Sequence, residues 1–151
     1  WVTDGPGAQI LFRGDDRNGL DPYYLTIHPD GTVNFAINDE QQQGMSVKTE
    51  LQLGKWQHIL ASFDAKTGIM RMWLNGEEVA NAITTRRPFK VLDNKFAPGF
   101  SVGNVQNNQG PHNQPFTGFL GDIRIYNTAV TPDDIFDTIR PWNVTPQVPT
   151  N

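Results

Sequence analysis

The chain has no cysteine, and that single absence removes disulfides, thiolate metal sites and a cysteine nucleophile. No run approaches the roughly eighteen apolar residues a membrane-spanning helix needs, so no membrane insertion is expected. Positive charge is not in excess. Lys and Arg number 12 against 16 Asp and Glu, for a formal net charge of −4, and a nucleic-acid partner is not expected from that balance. Catalytic signatures are missing too. Ser46, Ser62 and Ser101 have no Gly-x-Ser-x-Gly context, and His28, His58 and His112 show no metal-ligand spacing. There is no charged-then-apolar leader, and the chain opens on Trp1 rather than Met, as a mature product or an excised piece would.

What is present is turn chemistry. The 14 Gly and 11 Pro among 151 residues are more than a helical bundle tolerates and point to a turn-rich β protein. A chain of this length makes one domain with a core of its own. Nearly every apolar run is short and has period two. "AQILFR" lies between Gly7 and Gly14, and "YYLTIH" and "TVNFAIN" flank Pro29-Asp30-Gly31, a hairpin in which Pro presets φ and Gly accepts positive φ. Alternation predicts that Leu25, Ile27, Val33, Phe35 and Ile37 share one face, with Tyr24, Thr26, His28, Asn34 and Ala36 on the other.

Further along, a short strand at 45–49 leads to "GKWQHILASFD", and "IMRMWLNGEEVA" carries a second hairpin signal at Asn75-Gly76. Residues 85–98 have two prolines and little periodicity, so a long loop is expected. "GFSVGN" and "FTGFLGDIRIYN" are read as strands, the latter with Ile123 and Ile125 inward and Arg124 and Tyr126 outward. The predicted core is Leu25, Ile27, Val33, Phe35, Ile59, Phe63, Met70, Met72, Leu74, Ile123 and Ile125. One short helix is expected at "TPDDIFDTI", where Thr131 caps, Pro132 opens the first turn, and Asp133 and Asp134 favour its positive end. The expected organisation is a domain over residues 1–140 and a Pro-rich tail over 141–151. Many short strands with one late helix make an all-β sandwich.

Three stretches are more specific than their composition. "KWQHILASFD" (55–64), "MRMWLNGEEVA" (70–80) and "GFLGDIRIYNTAVTPDDI" (118–135) occur in this order and at this spacing. Together they resemble the laminin-G-like, concanavalin A-like jelly-roll superfamily over about residues 8–138. The resemblance implies two curved antiparallel sheets packed face to face, in secreted or cell-surface proteins that bind glycans, proteins or calcium. It also implies one or two strands before Trp1, one of them beside "GDIRIYN". Three prolines make the tail a poor substitute there, so a segment of the parent protein or another copy of the chain is the expected occupant.

The superfamily includes glycoside hydrolases. Retaining glucanases of this shape carry Glu-x-Asp-x-x-Glu or Glu-x-Asp-x-Glu on one strand face, which sets two carboxylates about 5 Å apart. No such run occurs. Asp15-Asp16, Asp39-Glu40, Glu77-Glu78 and Asp133-Asp134 all fall in turns or on the helix, and the expectation is a binding module rather than an enzyme.

Two candidate sites remain. "RGDDRNGLDPYY" (13–24) collects Asp15, Asp16, Asn18 and Asp21, hard oxygen ligands of the kind calcium takes. The resemblance implies Asp21 as a calcium ligand at the sandwich rim, with Asn107 or Asn108 of "NVQNNQGPHNQP" as the second. The plain alternative is an acidic turn, since Asp, Asn and Gly dominate turns. Arg13-Gly14-Asp15 matches an adhesion tripeptide, a weak signal because Arg13 ends a strand. The second site is a glycan surface. A pyranose needs an aromatic platform beside hydrogen-bonding groups. Tyr24, His28, Arg71, Trp73, Arg124 and Tyr126 lie opposite the core pattern and form the candidate ligand-binding set. The alternative is a sheet face packed on a loop or a neighbouring domain. Trp56 and His58 carry the family signature and are read as packing residues. Expected partners are a glycan or an extracellular protein, together with other domains or copies of the parent protein. Asn143-Val144-Thr145 is a glycosylation sequon.

Overall fold

A computed structural model of the chain describes residues 8–14, 22–41, 43–52, 54–92, 99–104 and 115–135. Among them are eight strands: β1 (Ala8–Gly14), β2 (Tyr23–Ile27), β3 (Thr32–Asn38), β4 (Gly44–Glu50), β5 (Ile59–Asp64), β6 (Ile69–Leu74), β7 (Glu77–Ile83) and β8 (Gly99–Val102). One helical turn, α1 (Pro132–Ile135), follows. The strands form two antiparallel sheets, one in the order β4-β3-β2-β1-β8 and the other in the order β5-β6-β7. This is the all-β, two-sheet jelly-roll sandwich with one short late helix that the alternation and the resemblance imply.

The hairpins form where the turn chemistry is strongest. In the β2–β3 turn the Thr32 N–H donates to Asp30 Oδ1 at 2.8 Å. Asn75 and Gly76 sit at φ 54° and 91°, the two positive values that a two-residue loop matching the strand twist requires. Asn75 Oδ1 also accepts the His58 N–H at 2.9 Å, which ties this turn to the residue before β5. Gly68 closes the β5–β6 turn at φ 79°, and a Cβ there would lie 1.9 Å from Thr84 O, so a side chain is excluded by space as well as by conformation.

The core sits between the inner faces. Val33, Ile37 and Val47 of the larger sheet meet Met70 and Met72 of the smaller one, each nearly or fully inaccessible. Ile27 is buried as well, and Leu25, Phe35, Ile59 and Phe63 pack half-buried against the same cluster. Leu74, at the end of β6, is half-buried. Alternation therefore predicts the inner faces of β2, β3, β5 and β6 correctly.

It does not predict that the second face of the larger sheet is also covered. Phe12, Thr26 and Ala36 point that way, and all three are buried. The Thr26 Oγ1 and Asn34 Oδ1 atoms are enclosed there without a hydrogen-bond partner among the described residues. Two arginines of the segment after β7 hold that segment to both sheets. Arg86 donates to Asp39 Oδ2 and Gln43 Oε1, each at 2.5 Å, and Arg87 donates to Ala65 O and Thr84 O while lying over the Phe63 ring.

One strand expected from the sequence is not formed. Residues 115–131 have no regular structure, and Ile123 and Ile125, expected in the core, are 47% and 60% exposed. Asp122 sits at φ 50°, and an extended run cannot continue through a residue in the left-handed region. The segment therefore bends where "GDIRIYN" alternates most cleanly. The helix is capped differently than expected. The Thr131 N–H and hydroxyl both donate to Asp134 Oδ2, at 2.7 and 2.8 Å. The side chain three residues on thus reaches back to the cap, one half of a capping box.

Candidate functional site

Between the sheets lies a cavity of about 1330 Å³ whose inner walls include Leu25, Phe35, Ile59 and Phe63. Its mouth is formed by the segment before β5 and by residues 116–130. The first lip is built by glutamines. The Gln52 N–H donates to Gln57 Oε1 at 3.0 Å, and Gln57 Nε2 donates back to Gln52 O at 2.8 Å. This reciprocal pair joins Gln52 to Gln57, and Lys55 and Trp56 next to Gln57 are exposed, Trp56 at 42%.

The second lip begins at Gly118, where a Cβ would lie 2.9 Å from the Phe116 ring. The turn this allows sends Phe119 outward, 69% exposed, with its ring centroid 6.4 Å from that of Trp56 and the two planes tilted by 37°. Gly121 lies against Trp56, its Cβ position 3.6 Å from ring atom Cζ3. Asp122 and Arg124 come next. Arg124 Nε donates to Asp122 Oδ1 at 2.8 Å and Nη2 to Oδ2 at 3.0 Å, a bidentate pair with fixed mutual orientation. Asp122, and after it the Tyr126 hydroxyl, raises the Arg124 pKa above its ordinary value. His58 is half-buried beside this pair. Desolvation lowers its pKa below 6.5, with Asp122 opposing and Arg124 adding to the shift, so the imidazole is neutral at physiological pH. The mouth thus offers two exposed aromatic rings beside a carboxylate, a guanidinium and a neutral imidazole.

The residues proposed from sequence as one ligand surface are not brought together. Tyr24 and the adjoining His28 belong to the larger sheet, both half-buried. Arg71 and Trp73 belong to β6 and face away from the core cluster, on the opposite side of the sandwich. Arg71 is paired with Glu78 at 3.8 Å. Trp73 is 6% exposed, packed with Leu60 and Ile135 and flanked by Val130, so its ring is covered by the helical turn and is not an open platform. Of the six, Arg124 and Tyr126 reach the cavity mouth, where they interact with each other. The calcium candidates Asp15, Asp16, Asp21 and Asn107 lie outside the described residues, as do Asn18 and Asn108. Arg13 of the adhesion tripeptide is engaged structurally. It stacks 5.6 Å from the Tyr23 ring centroid and donates to Lys90 O at 3.2 Å.

Trp56, His58, Phe119 and Asp122 are the site residues that sequence reading missed, Trp56 and His58 because they were read as packing residues. Trp56 stands three residues before β5, outside any alternating run, so no period assigns it a face. Phe119 is in the one run whose expected strand does not form.

The chain is 25% identical over 113 residues to Jeltraxin of Lepidobatrachus laevis, a match covering 72% of this chain and 46% of that protein. It is 28% identical over 86 residues to the Pentraxin-related protein PTX3 of Bos taurus, covering 55% of this chain and 22% of that one. Serum amyloid P-component of Mus musculus is 27% identical over 94 residues, with 60% and 40% covered. Each match spans less than half the length of the relative. Among solved structures, the Ruminococcus gnavus IT-sialidase CBM40 superposes with a TM-score of 0.69 at 16% identity, over 90% of this chain and 76% of that one. The same domain bound to alpha2,6 sialyllactose gives 0.67 at 16% identity, over 89% and 76%. At this identity the likeness speaks for the fold alone. The family model for the Concanavalin A-like lectin/glucanases superfamily (Laminin_G_3) matches residues 2–136, and with its two packed antiparallel sheets the chain belongs to that superfamily.

Proposed function

We propose that this domain is a non-catalytic module that binds glycans outside the cell, through the aromatic mouth between its two sheets. The observation that carries the reading is the exposed Trp56–Phe119 ring pair beside His58, Asp122 and Arg124. Sugars bind where an aromatic face meets convergent hydrogen-bonding groups. The lectin-type fold supports the reading, as does a structural neighbour that is a carbohydrate-binding module by name and has been solved with alpha2,6 and with alpha2,3 sialyllactose. An extracellular location fits the serum protein among the relatives. The acidic loop at 15–21 is the place where the domain would hold calcium, with Asp21 as the first ligand. A glycan array probed with the purified domain, with and without calcium, tests the reading. Reproducible binding to a defined set of sugars is expected, and an empty array under both conditions would overturn it.

A specific observation favours one alternative, a protein-interaction or structural domain of a larger assembly. Phe119, Ile123 and Ile125 expose apolar surface along one segment, and β5 has no strand hydrogen-bonded on its other side among the described residues. Such an edge pairs readily with another strand. Concentration-dependent association in analytical ultracentrifugation, together with a blank glycan array, would select it.

A further inference from the structure

The glycan reading leaves open which sugars bind and which groups read their hydroxyls, and the geometry of the 118–126 segment bears on both. Asp122 is one of two non-glycine residues at positive φ among the described residues. The other, Asn75, is explained by its hairpin turn. Asp122 lies in no hairpin, and a left-handed aspartate in an exposed segment is an uncommon conformation that tends to mark a functional site. Its effect is to turn the carboxylate back onto Arg124, two residues on, with both oxygens engaged. The pair is exposed on both sides, at 39% and 33%, so it adds little to stability. Its consequence is orientation: a carboxylate acceptor and a guanidinium donor are locked side by side next to Trp56, against which Gly121 packs.

We infer that Asp122 and Arg124 form the hydroxyl-reading half of a subsite for an uncharged pyranose, whose apolar face stacks on the Trp56–Phe119 pair. This rests on the glycan-binding reading and adds a ligand class and a division of roles. A fixed acceptor beside a fixed donor matches two adjacent hydroxyls, one giving its proton to Asp122 and the other accepting from Arg124. A carboxylated sugar fits less well. Its anion would face the Asp122 carboxylate and compete with it for a guanidinium already held bidentately. Lys55, the residue before Trp56, has its ammonium on Gln52 Oε1 at 2.9 Å, and the neutral His58 adds a hydrogen-bonding ring without charge.

The test is titration calorimetry of the intact chain with neutral galacto- and gluco-configured oligosaccharides and with their sialylated counterparts, repeated on two variants. Trp56→Ala is expected to weaken neutral-glycan binding by about tenfold or more, the usual loss on truncating a central aromatic contact. Asp122→Gly is the sharper variant, because glycine takes φ 50° without strain. Its melting temperature should hold or rise while binding falls by a similar factor, a split that a purely structural aspartate would not give. Preference for the sialylated sugars, or undiminished binding in Asp122→Gly, overturns this inference and leaves the glycan reading intact. Absence of binding to any sugar overturns both.

Discussion

Met72 and Ile125 set up a direct contest between packing and pattern. Both belong to alternating runs, and the sequence assigns both to the core. The structure buries Met72 completely, in a cluster with Val33, Ile37 and Val47, and leaves Ile125 60% exposed. Truncating a buried methionine to alanine removes its transfer free energy and leaves a cavity, at a cost of about 2–5 kcal/mol. For a chain of this size each kcal/mol lowers the melting temperature by about 2–4 °C, so Met72→Ala should lose roughly 4–20 °C. Ile125→Ala should stay within about 0.5 kcal/mol of the parent, as surface substitutions do. Urea unfolding of the two variants, followed by tryptophan fluorescence and compared at equal slope, measures both. Equal losses would refute the reasoning, because they would mean that "GDIRIYN" packs as a strand in solution and that the cavity between the sheets is closed by it.

Acid should act through named groups. The His58 pKa is lowered mainly by burial, so below about pH 6.5 the unfolded chain binds a proton the native state refuses, and stability should fall as pH drops from there. His58→Gln should flatten that limb of a urea-midpoint profile, and an unchanged slope would remove His58 as its source. At lower pH, Asp39 and Asp64 add a second limb. Backbone Gln43 N–H holds the Asp39 pKa down, and the Thr67 hydroxyl does the same for Asp64. The stability they contribute is present above about pH 4 and is lost as pH falls through their lowered values. Calcium has its own test. If the 15–21 loop binds it, EDTA should lower the melting temperature and excess calcium restore it. Asp21→Ala should abolish the response, and a melting curve indifferent to both reagents would dismiss the site.

The strands were legible in the sequence because each carries its own period and turn. Leu25, Ile27, Val33 and Phe35 alternate on either side of Pro29-Asp30-Gly31, and Met70 and Met72 precede Asn75-Gly76. Burial of one sheet face is a local, two-residue rule, and turn residues fix the register. The superfamily was legible for the same reason, in three motifs that are themselves strand and turn. Tertiary structure decided what covers each outer face and what meets across loops. Trp73 and Arg71 share a side of β6 by alternation, yet the helical turn sixty residues later in the chain places Ile135 and not a ligand over the indole. Trp56 and Phe119 are likewise far apart in sequence and meet only where the second lip, turning at Gly118, comes against the first. Periodicity describes which side of an element a residue is on. Whether that side faces water, a helix or a cavity depends on contacts between elements distant in sequence, and no local pattern encodes them.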